Sequence, residues 1–130
     1  MFLHAMNNEE KGKFLEMVYK VATVDGEYAD EEKGIIENYK KEMEVTEIPE
    51  TDTIDGLVKY FSGKSETIKK IVLFEVVGLI YADDKVESGE EELLSKLVNS
   101  FNLDTKIVTR IEGVVEKLKE VYDEIFDVLF

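Results

Sequence analysis

The stretch Ser65-Glu66-Thr67-Ile68-Lys69-Lys70-Ile71-Val72-Leu73-Phe74-Glu75-Val76-Val77-Gly78-Leu79-Ile80-Tyr81-Ala82 decides the fold class. Its β-branched residues Val72, Val76 and Val77 would suit a strand. A run from Ser65 to Ala82 is far longer than the roughly 5–6 residues of a typical strand, so length decides for helix. Ser65 supplies the N-cap oxygen. Apolar residues nearly all round make this the central, most buried helix.

The same pattern recurs 58 residues earlier. Val72 meets Phe14, Val76 meets Val18, Leu79 meets Val21 and Asp83 meets Asp25. Further along, Ser88 meets Asp30, Glu90 meets Glu32, Leu93 meets Ile35, Leu97 meets Tyr39, Phe101 meets Met43 and Leu103 meets Val45. A first helix therefore starts near Asn7 or Asn8, with Asn7 and Glu10 as an amide-headed capping box. A second follows Asp30 with Ile35, Ile36, Tyr39 and Met43 inward. Pro49, Thr51 and Asp52 open a short third carrying Ile54, Leu57, Val58 and Phe61. Ser88 with Glu91 starts a fifth. Asp104 caps a long last helix with Ile107, Ile111, Val114, Leu118, Val121, Ile125 and Val128 in alternating steps of four and three.

The expected architecture is an all-α, single-domain helical bundle. It consists of two repeated helix–loop–helix hairpins, about 8–45 and 66–103, plus the C-terminal helix. Phe14, Val18, Val21, Ile35, Tyr39, Val72, Val76, Leu79, Leu93, Leu97, Phe101, Ile111 and Leu118 are expected to be buried.

Composition narrows the function. The 130 residues are 44% hydrophobic and 35% charged, the balance of a globular domain. With no cysteine and one histidine, His4, thiol catalysis, disulfides, cysteine-type zinc sites and Ser-His-Asp chemistry are set aside. The net charge of −14 repels phosphate backbones and anionic membranes. Cations or a basic protein surface are the partners it favours. No signal or membrane span is readable, and the chain reads as cytoplasmic. Ser62-Gly63-Lys64-Ser65 ends like a phosphate-binding loop, but Gly56 is too far upstream and a helix precedes it, so a plain loop with a helix cap is expected.

Packing does not require the polar part of the repeat: Val24-Asp25-Gly26-Glu27-Tyr28-Ala29-Asp30-Glu31-Glu32 and Ala82-Asp83-Asp84-Lys85-Val86-Glu87-Ser88-Gly89-Glu90-Glu91. Glu32 and Glu90 suit any helix start. Asp25 and Asp83 fall at helix C-termini, where the macrodipole disfavours a carboxylate by about 0.3–1 kcal/mol. A compensating cation and simple Asp-Gly turn chemistry both account for them. Oxygen-only ligands would select a hard divalent cation, Ca²⁺, Mg²⁺ or Mn²⁺. The EF-hand pattern is not met, since Ile36 and Leu94 stand where its closing glutamate would be.

These loops, set between amphipathic helices, resemble the tellurite-resistance TerB-like family over roughly Phe14 to Leu103. Asp84 departs from the glycine often found in the second loop. The resemblance implies an all-helical domain, metal-suspected acidic positions at Asp25, Glu32, Asp83 and Glu90, and a role in tellurite or other chemical stress or as an interaction module. It implies no settled catalytic activity.

Two functions follow. One is a non-enzymatic, cation-responsive protein using the acidic loops; the other is a metal-free interaction or scaffold module docking through apolar helix surface. A metal-dependent hydrolase lacks a recognisable pocket and a supporting histidine. The apolar end Ile125-Phe126-Asp127-Val128-Leu129-Phe130 calls for a cover. Phe2, Leu3 and Met6 of the same chain, or a second copy, could supply it. The acidic surface predicts a monomer, or a weak homodimer that tightens with salt.

Overall fold

In a computed structural model, residues 2–23, 30–48, 50–81 and 88–130 are described, with the side chains of 31, 32 and 88–90 left aside. After a 3-10 turn at Leu3–Ala5 come α1 (Asn8–Thr23), α2 (Asp30–Met43), α3 (Ile54–Ser62), α4 (Glu66–Ile80), α5 (Ser88–Phe101) and α6 (Thr105–Leu129). Among the described residues there is no strand, and the Ile71–Ile80 segment is helical throughout.

Local chemistry sets the helix starts. Asn7 N–H donates to the Glu10 carboxylate and Glu10 N–H to Asn7 Oδ1, both at 2.8 Å, so the capping box ahead of α1 is reciprocal. Ser65 Oγ accepts from Ile68 N–H at 3.2 Å, and Asp104 Oδ1 accepts from Lys106 N–H at 2.8 Å. The cap of α3 is Thr53, whose hydroxyl accepts from Gly56 N–H, one or two residues later than expected. The segment just ahead of the cap is held by Glu16, fully buried in α1. Its carboxylate accepts from Thr51 N–H at 2.6 Å, Asp52 N–H at 2.8 Å and the Thr51 hydroxyl at 3.2 Å. Those two amides are thereby satisfied by a neighbouring helix just ahead of α3.

The central position belongs to α4, which packs against α1, α3, α5 and α6, while α1 packs on α2 and α3, and α3 on α5. Its buried residues Ile68, Val72, Leu73, Val76, Val77, Leu79 and Ile80 occupy about half of its circumference, and Ile71 and Phe74 on the other side are partly buried. Glu75, also buried, accepts from the Tyr39 hydroxyl at 2.7 Å and so joins α4 to α2. Burial and the adjacent Glu75 carboxylate push the Tyr39 phenol far above its ordinary range.

Three of four bounds recur at one spacing when α1 is set against α4 and α2 against α5, the ends of α1 and α4 lying 57 residues apart. Asn8 and Glu66 open α1 and α4, and Asp30–Met43 and Ser88–Phe101 bound α2 and α5, each pair 58 residues apart. Just past α2 and α5, Glu44 and Asn102 adopt left-handed backbone at φ 57° and 51°. After α2 the turn closes with Glu44 N–H on Lys41 O and Val45 N–H on Lys40 O, a Schellman pairing.

Three expected core positions, Ile35, Ile111 and Leu118, are only partly buried. In α6 the buried residues are instead Val108 and Val115. The helix docks along α4 in the same chain direction: Ile107 and Ile111 share a groove with Ile71 and Phe74, and Lys119 Nζ reaches Tyr81 O at 2.9 Å. By then α4 has ended. At 1.5 Å per residue, α6 runs on for roughly 15 Å past its neighbour, and every residue from 120 to 130 is exposed. The traced stripe therefore lies beside the buried line in the first half and in solvent in the second.

Candidate functional site

Of the four acidic positions singled out in the sequence, Asp25 and Asp83 lie outside the described residues. Glu32 and Glu90 are the third residues of α2 and α5, with side chains outside the description. Among the described residues, no group of three or more His, Cys, Asp or Glu is placed to hold a metal ion. Nor is any helix there long and apolar enough to cross a membrane.

What the structure does bring together is apolar. Phe2, Ile71, Phe74, Ile107, Ile111 and Val114 line a groove of about 380 Å³ between α4 and α6, with Lys70 and Arg110 also on its walls. Phe2 meets Phe74 edge to face at 6.1 Å between ring centres. That contact settles the expected intramolecular cover. Leu3 and Met6 are buried in the core and Phe2 sits on Phe74, so the N-terminal segment is engaged at the groove and not at the end of α6.

From the groove the apolar surface continues down α6 through Val114 (46% exposed), Val121, Ile125, Val128 (78%) and Leu129, with Phe126 and Phe130 ring to ring at 5.0 Å on the adjoining face. Contiguous apolar surface on this scale is uncommon on a protein with no partner. Charge divides along the same helix. Residues 105–119 hold four basic and two acidic side chains; residues 120–130 hold four acidic and no basic ones.

Other features are structural. Tyr60 donates to the Glu9 carboxylate at 2.9 Å and lies beneath Lys64, whose Nζ is 4.6 Å from the ring centre. Burial, then Glu112, Glu116 and Glu91, raise the Tyr81 phenol. A second recess, near Lys20, Thr53, Asp55, Glu92 and Lys96, mixes charges, and Lys96 pairs with Asp55 at 3.4 Å.

The sequence reading missed Glu16 and the groove. Glu16 falls off the Phe14–Val18–Val21 line, and only the width of the buried face, from Phe14 through Val18, explains its enclosure. The groove had a partial signal: Ile71 and Phe74 sat on a helix apolar all round, more than its neighbours in the bundle could cover. Comparison with protein-family models, curated proteins and solved structures finds no match.

Proposed function

We propose that this protein is a non-enzymatic, all-helical interaction module that docks an amphipathic helix along the apolar surface of α6. The observation that carries this reading is the continuity of that surface, from the Phe74–Ile111 groove to the solvated Val121–Leu129 end. The groove walls add Lys70 and Arg110, so the helix that fits best carries an apolar seam flanked by carboxylates. Helix-in-groove docking of this kind reads anchors at steps of three and four residues.

We further propose TerB-like membership with duplicated hairpins. The 58-residue spacing of helix bounds and of the left-handed residues Glu44 and Asn102 supports it. The stress role rests on the resemblance, and the cation sites at Asp25, Glu32, Asp83 and Glu90 on the resemblance and the repeated acidic loops, whereas the apolar surface is built from described residues.

The test is a fluorescently labelled synthetic helix with Ile and Val at its seam and Glu at its flanks, titrated into dilute protein. Saturable binding that Ile111→Asp abolishes is expected. A peptide that fails to bind, or binds the variant equally, would overturn the reading.

A further inference from the structure

Ile107, Ile111, Val114, Leu118, Val121, Ile125 and Val128 follow alternating steps of four and three across the length of α6. That is the seam of a coiled coil, repeating every 3.5 residues, and not the broader stripe of a helix packed in a globular body. The body uses the line next to it, Val108 and Val115. A seam of this regularity, left half-exposed beside a helix that already has its own buried line, is spare.

We propose that its occupant is α6 of a second copy, running antiparallel, with the exposed end of each helix seated in the groove of the other. This rests on the docking reading above and names its partner. Charge is the first argument. The net charge of −14 sets whole molecules against each other, but α6 is basic over 105–119 and acidic over 120–130. Antiparallel pairing lays each acidic end beside a basic beginning, and parallel pairing does not.

Register is the second argument. In an antiparallel seam the two apolar positions of the heptad face one another. Setting Leu118 opposite Val121 of the second copy places Val114 opposite its Ile125 and Ile111 opposite its Val128. Val114 and Ile111 are groove residues; Ile125 and Val128 are 46% and 78% exposed. The same register flanks the seam with Lys117 of each chain beside Glu124 of the other, twice by symmetry. Because the long-range repulsion is screened by salt while these pairs act at contact, association is expected to strengthen as salt rises from low values.

Sedimentation equilibrium of the full chain, with charge exchange, tests the proposal. Lys117→Glu and Glu124→Lys, both at exposed positions, each place like charges together twice and are expected to weaken the dimer roughly tenfold or more. Mixing the two variants, or combining both changes in one chain, restores opposite pairs and returns the affinity to near the wild-type value. A wild-type chain that stays monomeric at every concentration overturns the second-copy proposal. If such a chain still binds the acidic-flanked peptide, the docking reading survives it; if it binds neither, both fail. A dimer indifferent to the exchanges overturns the antiparallel register.

Discussion

The two halves of α6 carry one apolar pattern and meet two fates. Over 105–119 the helix lies along α4 and buries Val108 and Val115; over 120–130 the same alternation continues with every residue in solvent. The difference lies in neighbour length. α4 ends at Ile80, and α6 passes it. A periodic stripe states that a helix has an apolar side, and the length of what lies beside it decides how much of that side the chain itself can cover.

The sharpest way to break that contrast is to place one charge in each half. Val115→Asp buries a carboxylate among apolar side chains and should cost about 3–5 kcal/mol, enough to threaten the fold. Val128→Asp should leave monomer stability within about 0.5 kcal/mol while weakening self-association. Urea denaturation of dilute protein measures both, and equal losses would show that the end of α6 belongs to the core.

Away from α6, Glu16→Ala should cost about 2–4 kcal/mol, because it strips the acceptor from the Thr51 and Asp52 amides at the start of α3. Chemical denaturation reads this too, and a change below about 0.5 kcal/mol would mean those amides find water at no loss.

The six helices among the described residues were legible from apolar spacing and capping residues, because those signals are local: Asn7, Ser65 and Asp104 cap where their side chains can reach the first free amides. The third helix starts later than its sequence suggests: Thr53 is the cap, and the Thr51 and Asp52 amides ahead of it go to Glu16, a contact 35 residues distant from Thr51 that local signals do not carry. Ten of thirteen expected core residues are buried; Ile35, Ile111 and Leu118 sit at margins set by tertiary contacts. For the site, the exposed end of α6 was legible as too apolar for one face. The groove was not, since it depends on how α4 and α6 lie side by side. The acidic positions Asp25, Glu32, Asp83 and Glu90 drew notice through their repetition, a signal that carries no geometry.

A smaller effect separates the buried Tyr39–Glu75 contact from solvent-facing tyrosines. Tyr39→Phe should cost about 1 kcal/mol at neutral pH. The folded phenol titrates far above the unfolded one. Its contribution is therefore complete below about pH 10 and is lost as pH rises toward the folded value, at about 1.4 kcal/mol per pH unit. Stability measured from pH 8 to 11 should fall less steeply in Tyr39→Phe than in the wild type; parallel curves would contradict this. Smallest of all, Glu44→Gly should stabilise by about 0.5–1 kcal/mol, since Glu44 holds φ 57° after α2, and a loss in thermal unfolding would show that its side chain matters more than its backbone.

Hydrogen exchange along α6, followed by mass spectrometry at low and high protein concentration, tests the central contrast most directly. Amides of 105–119 are expected to be protected alike at both concentrations, and those of 120–129 to exchange quickly when dilute and slowly when concentrated. Protection of 120–129 that is strong and independent of concentration would show that the chain covers its own apolar end, and would contradict the account.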